Sequence, residues 1–201
     1  TAGLNGFMGR PVTASQKAAR AGFADVEDQM STVFLDVAGY NYKLADYEGD
    51  HRRFPRRIPY GAESFAKDVA AVWNLTEQHR WLIGDFVWVA MDYLGEAGMG
   101  GSVVLTQAQS ANPMASGAGW RWIGAFSGDV DLIGQQKPAS RLRDVVWGLS
   151  ELEVAVQRPL PPDSVEIVRI WGWSDEYPCW TWPGAEGKPV NIRVYTGGDR
   201  V

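Results

Sequence analysis

Two apolar strand-like runs joined by one amphipathic segment constrain this chain more than any other feature. Residues 57–65, Arg57-Ile58-Pro59-Tyr60-Gly61-Ala62-Glu63-Ser64-Phe65, read as a short strand ending on a carboxylate. Residues 81–93 carry a second run with acids and aromatics towards its end, and residues 65–73 between them are amphipathic. Upstream, residues 33–42 are almost continuously apolar and end on Asn41 and Tyr42, the pattern of a parallel strand buried on both faces. Strand, helix, strand, with polar groups at the strand ends, is the pattern of a (β/α)8 TIM barrel, whose chemistry sits at the carboxyl ends of its strands. The expected fold class is therefore α/β.

The rest of the chain divides by character. Residues 8–13 suit a short strand and residues 14–30 a helix. Residues 95–119 are rich in Gly, Ser and Ala and read as a loop or lid. Residues 137–148 read as a helix, with Pro138 in the first turn and Gly148 at the stop. Beyond Gly148, residues 152–156, 165–171 and 190–195 read as strands between Pro-rich turns at 159–162 and 183–189. The expected units are a barrel half over 1–149, a β-rich connection over 150–187 and the start of a new β-domain over 188–201.

Composition narrows the partners. With 45% hydrophobic and 21% charged residues the chain fits an ordinary globular protein. A net charge of −5 argues against nucleic acid. The basic run His51-Arg52-Arg53-Phe54-Pro55-Arg56-Arg57 reads as a solvated loop face beside Glu48 and Asp50. No apolar run approaches the roughly 20 residues of a membrane-spanning helix, so no membrane partner is expected. Cys179 is the only cysteine, which leaves the compartment open. The opening, Thr1-Ala2-Gly3-Leu4, has neither an initiating methionine nor a signal-peptide pattern and says little about any parent. His51 and His79 read as isolated loop histidines; no metal and no cofactor is expected. The 10 tryptophans are many for this length. Core packing accounts for most, but an exposed tryptophan face is also what a pyranose ring stacks on.

Glu63 is the main candidate for chemistry. Glycoside hydrolysis needs two carboxyl groups flanking the scissile bond, and a barrel strand presents its last residues to the active-site mouth. Taken alone, Gly61-Ala62-Glu63-Ser64-Phe65 also fits Ser64 capping the next helix with Glu63 solvated beside it. The order of motifs weighs against that reading. Asp36-Val37-Ala38-Gly39-Tyr40-Asn41-Tyr42, then Glu63-Ser64-Phe65, then Gly84-Asp85-Phe86-Val87-Trp88, then Met91-Asp92-Tyr93-Leu94-Gly95-Glu96-Ala97-Gly98 closely resemble glycoside hydrolase family 2. The likeness is strongest to its bacterial β-galactosidase branch, in which an immunoglobulin-like β-sandwich follows the barrel. It extends through Lys137-Pro138 and Trp147-Gly148 to Trp180-Thr181-Trp182-Pro183-Gly184, covering roughly residues 8–196.

The resemblance implies roles. Glu63 would be the nucleophile of a retaining double displacement, at the end of the seventh barrel strand. Asn41 and Tyr42, ending the sixth, would flank it, and a phenol donating to a carboxylate favours the ionised form a nucleophile needs. Trp88, late in the eighth strand, would floor the sugar subsite; it follows Phe86 by two and so would share its face. Asp92 and Glu96 would bind sugar hydroxyls or brace loops. Two departures stand out. The family's acid/base glutamate ends the fourth strand in a Gly-Asn-Glu-like motif that this sequence lacks, so the chain corresponds to the barrel from about the fifth strand onward. Val89 and Ala90 replace the acidic and aromatic pair that follows the tryptophan in some relatives.

The function implied is retaining hydrolysis of terminal β-galactosides, with the N-terminal remainder of a parent enzyme as an obligatory partner. The alternatives are a β-glucuronidase of the same family and a non-catalytic carbohydrate-binding fragment. A half-barrel would expose sheet edges near 8–13 and 81–90, so association into homo-oligomers or aggregates is expected of the isolated chain.

Overall fold

The computed structural model describes residues 32, 34–110 and 122–198. The expected strand at 8–13, the helix at 14–30 and the end of the expected lid at 111–119 lie outside the described residues. The described part is a mixed α/β structure with three small sheets.

The first sheet is parallel, in the order β1-β2-β3. β1 is Val37–Asn41, β2 is Ile58–Ser64 and β3 is Asp85–Val87. A 3₁₀ turn, Leu44–Asp46, and helix α1, Tyr47–Arg53, connect β1 to β2. A second 3₁₀ turn, Ala66–Asp68, and helix α2, Val69–Gln78, connect β2 to β3. Parallel neighbours require such crossovers, because a tight turn reverses the chain.

Four expectations need correcting here. The run at 33–42 is not buried on both faces: β1 alternates, burying Ala38 and Tyr40 while Val37, Gly39 and Asn41 stay exposed. Phe34 is 76% exposed, so much of the apolar run is uncovered among the described residues. The run at 81–93 is only three residues of strand. Its apolar start serves packing instead: Leu82 joins the core with Ala38, Tyr40 and Tyr47, and Trp81 packs against that cluster. The basic run begins in helix, since α1 extends to Arg53 with Glu48 and Asp50 in its first turn, and only Phe54 to Arg57 lie in the connection. His51 and His79 are not solvated loop residues either. Both stack on Trp81, with ring centroids 4.3 and 5.0 Å away.

Gly61 shows how closely β2 and β3 approach. A Cβ placed there would sit 2.8 Å from Cβ of Asp85 and 3.0 Å from the Tyr47 hydroxyl. Only glycine leaves that room.

The downstream part is antiparallel. The stretch read as a lid contains strand β4, Ser102–Thr106, and a short helix α3, Gln107–Ser110. β4 pairs with β6, Ser164–Val168, far along the chain. A second antiparallel sheet has the order β7-β5-β8, from Leu152–Gln157 (β5), Glu176–Tyr177 (β7) and Ile192–Thr196 (β8). Helix α4, Pro138–Val146, starts on its proline, and Gly148 takes a φ of 74° just past the end. That left-handed position is where glycine stops a helix without strain.

The core beside β1 is rich in phenols. Tyr40 and Tyr47 stack with centroids 5.5 Å apart, and burial raises both from 10.0 to about 12. The folded state thus holds these protons more tightly than the unfolded one. Their contribution to stability is fully present below pH 10 and is lost as the pH rises towards about 12. Chemical denaturation measured across that window should show a progressive fall, and Tyr47→Phe should make the fall shallower than in the parent chain.

Candidate active site

The site is built where β1, β2 and β3 end. Asn41 is the register partner of Glu63, after a register shift between Tyr40 and Asn41. The chain then turns through Tyr42, whose φ is 56°. A left-handed non-glycine residue costs on the order of 1–3 kcal/mol and persists only where neighbours hold it. Here the Tyr42 N–H donates to the Glu63 carbonyl at 2.7 Å. The Tyr42 ring stacks on Phe65 at 4.3 Å and meets Trp171 edge-on at 5.9 Å.

This turn brings the Tyr42 hydroxyl close enough to the Glu63 carboxylate for the two groups to act on each other, while the Trp171 indole N–H donates to the same hydroxyl at 2.8 Å. Burial pushes the Tyr42 phenol up; Trp171 opposes that, and the Glu63 carboxylate adds to it. The phenol therefore stays protonated at neutral pH, with its proton available to the carboxylate. Glu63 is half-buried and Asn41 is exposed, so the site opens to solvent.

Ser64 does not cap a helix. Its hydroxyl contacts the Asp85 carboxylate and lies 3.2 Å from the Phe86 carbonyl, tying β2 to β3. The following 3₁₀ turn is entered at Phe65 without a side-chain cap. Glu63 is thus a strand residue held by neighbours on both sides.

Trp88 lies one residue past β3, where its N–H donates to the Ser64 carbonyl at 3.0 Å. The strand alternation that would pair it with Phe86 has ended there. Phe86 instead sits edge-on to Tyr60 at 5.9 Å, and the half-buried Trp88 faces Tyr93, with centroids 6.1 Å apart. The Tyr93 hydroxyl donates to Glu96, and its ring lies against the Trp88 indole. Burial and the Glu96 carboxylate raise the Tyr93 phenol to about 12. Tyr93 also lies close enough to Tyr42 for its charge to act on it. Glu63, Tyr42, Trp88, Tyr93 and Glu96 therefore form one connected neighbourhood.

Asp92 is placed differently. It is buried at 7% exposure, accepts the Gly128 N–H at 2.7 Å and pairs with Lys137 at 3.0 Å. Lys137 also donates to the Phe126 carbonyl at 3.0 Å and lies 4.1 Å from the centre of that ring. Of the two roles open to Asp92, these contacts are those of a loop brace. A cleft of about 770 Å³ lined by Lys137, Arg141, Asp175 and Glu176 includes none of the gathered residues. Its charges are engaged, Lys137 with Asp92, Arg141 with Glu153 and Glu176 with Arg193. Among the described residues no group of three or more His, Cys, Asp or Glu is placed to hold a metal ion.

Sequence reasoning did not single out Tyr93 or Trp171. Tyr93 has a faint local signal, an acid three positions later that a phenol can reach. Trp171 has none, because it meets Tyr42 across 129 positions.

With this geometry in hand, solved structures give the comparison that matters. One glycosyl hydrolase family 2 member from Bacteroides cellulosilyticus is 33% identical, over 92% of this chain and 26% of its own, with a TM-score of 0.63. Another family 2 member, from Bacteroides cellulosilyticus DSM 14838, is 34% identical over 80% of this chain and 18% of its own, with a TM-score of 0.56. The likeness supports glycoside hydrolase family 2 at the level of the family. The chain spans only about a quarter or less of the length of either structure. No family model and no curated protein matches it.

The Asp92–Lys137 pair supplies a direct test. Lys137→Met strands a buried carboxylate and should cost about 3 kcal/mol of stability in denaturant unfolding. Replacing both, Asp92→Asn with Lys137→Met, should recover part of that loss. An Asp92→Asn variant of unchanged stability and weakened sugar binding would instead assign Asp92 to substrate.

Proposed function

We propose that this chain is the C-terminal half of a family 2 catalytic barrel whose parent hydrolyses terminal β-galactosides with retention of configuration. The observation that carries the reading is the placing of Glu63, Tyr42 and Trp88 at the carboxyl ends of three parallel strands linked by helical crossovers, with Tyr42 hydrogen-bonded to Glu63 and Trp88 to Ser64 through the backbone. In this reading β1, β2 and β3 are the sixth, seventh and eighth barrel strands. The β-rich connection over 150–187 leads to a sandwich domain that starts near 188. The similarity to two family 2 structures over most of the chain supports it, and their greater length supports a larger parent.

The chemistry follows from the placement of groups. A Glu63 carboxylate oxygen attacks the anomeric carbon, forming a glycosyl–enzyme ester. The bond from that carbon to the aglycone breaks, and its electron pair leaves on the aglycone oxygen. A second glutamate, from the upstream half of the parent, gives that oxygen a proton and then takes one from water, which hydrolyses the ester. The two carboxyls would lie roughly 5–5.5 Å apart. Asn41 sits beside Glu63 to contact the sugar, Trp88 offers it a ring face, and Glu96 accepts hydrogen bonds at the rim.

A neutral sugar suits this site better than a glucuronide. The side chains gathered with Glu63 are phenols, an indole and a carboxylate, and none can neutralise a uronate. A purely carbohydrate-binding role fits less well, because Trp88 shares the neighbourhood of a strand-end carboxylate rather than lining a remote face.

In the full-length protein, Glu63→Gln should lower turnover of a nitrophenyl β-galactoside by at least about 10³-fold with the fold intact. Trp88→Ala should chiefly weaken binding of galactose or an inhibitor, at a little-changed melting temperature. Equal loss of both would make Trp88 a packing residue. Residues 1–201 alone should be inactive, since general acid catalysis is worth roughly 10²–10⁴-fold, and mixing with the upstream half should restore activity. The exposed Val37, Ile58 and Phe86 are the apolar positions that such a partner would cover. An active monomer of these residues would move the acid/base role into the chain, with Glu96 the first residue to replace.

A further inference from the structure

Tyr42 is met from the downstream β-rich segment by Trp171. Trp171 is buried at 6% exposure, in the loop beyond β6. Its indole N–H donates to the Tyr42 hydroxyl at 2.8 Å. Its ring packs edge-on to Tyr42 and to Phe65, each at 5.9 Å, while Phe65 stacks on the Tyr42 ring at 4.3 Å. Gly172 beside it packs so tightly that a Cβ would sit 2.5 Å from the Gly100 carbonyl.

We infer that Trp171 is a positioning residue for the displacement step, acting through the hydroxyl of Tyr42. The inference rests on the assignment of Glu63 as nucleophile. A phenol hydroxyl has one proton and two lone pairs, and it rotates to suit its partners. With the indole N–H occupying the acceptor side, the one remaining proton is directed at Glu63. Accepting that bond also polarises the O–H and strengthens what it donates. The carboxylate is thereby held in one orientation as it approaches the anomeric carbon. The long-range contact also makes the catalytic turn depend on a segment that follows the three-stranded sheet by many residues.

The test uses 2,4-dinitrophenyl 2-deoxy-2-fluoro-β-galactoside with the full-length protein. Glu63 forms a bond to the anomeric carbon, and dinitrophenolate leaves with the electron pair of the broken bond. That leaving group needs no proton, so the readout isolates the nucleophilic side of the site. Two variants separate donor from packing: Trp171→Phe, and replacement of Trp171 by the sulfur isostere β-(3-benzothienyl)alanine, which keeps the shape and drops the N–H. Both should lower the first-order rate of dinitrophenolate release by roughly 3- to 10-fold, the worth of one neutral hydrogen bond. The inactivator's half-saturating concentration should stay unchanged. In a Tyr42→Phe background the same Trp171 changes should have no further effect on that rate.

A release rate that the isostere leaves unchanged would overturn the inference. So would an equal loss in the Tyr42→Phe background, because the effect would then bypass Tyr42. Absence of any release from the parent protein would overturn the glycosidase reading itself, a result distinct from a parent that reacts and Trp171 variants that react equally well.

Discussion

One backbone contact sets the geometry on which the site depends: the Tyr42 N–H donating to the Glu63 carbonyl at 2.7 Å. It closes the ladder between β1 and β2 where the register has already shifted by a residue. Tyr42 enters a left-handed conformation there, and an aromatic residue does so only when its surroundings outweigh the strain. Those surroundings are Phe65 against its ring and Trp171 on its hydroxyl. On the other side of β2, the buried Ser64 hydroxyl ties the strand to Asp85 and Phe86. Glu63 is therefore set between two fixed neighbours rather than standing at a free strand end.

Beyond the sheet the structure is held by buried polar braces. Asp92 and Lys137 link the segment after β3 to the start of α4, and Asp129 pairs with Arg143 of α4 at 2.7 Å. Glu166 of β6 accepts from Gln157, Ser174 and the Asp175 N–H, joining the two antiparallel sheets. Charges taken out of water stabilise a fold only when each is matched, and losing one partner costs far more than the pair contributes. Such braces help to fix the loops around Tyr93 and Glu96.

Some of this was legible in the sequence. The β–α–β order around Glu63, the proline and glycine bounds of α4, and the later strands were readable from periodicity and turn residues. The run at 81–93 misled because its leucine and tryptophan are apolar for core packing, not for strand pairing, and composition does not separate the two. The pairing of β4 with β6 was hidden because a glycine-rich approach masked a five-residue strand whose partner lies some 60 positions on. At the site, Glu63, Asn41, Tyr42 and Trp88 stood out through their motifs. Trp171 did not, since a single tryptophan among 10 carries no mark of the hydroxyl it will meet. Asp92 was visible as an acid near the site, but only its neighbours Lys137 and Gly128 reveal it as a brace.

The central claim is that the Glu63 carboxylate is the atom group that bonds to the sugar. Peptide mapping by mass spectrometry after inactivation of the full-length protein with an activated 2-fluoro-galactoside tests it most directly. The account predicts one added 2-fluoro-galactosyl group, on the peptide containing Glu63 and on that side chain. An adduct on any other carboxylate, Glu96 included, would contradict it.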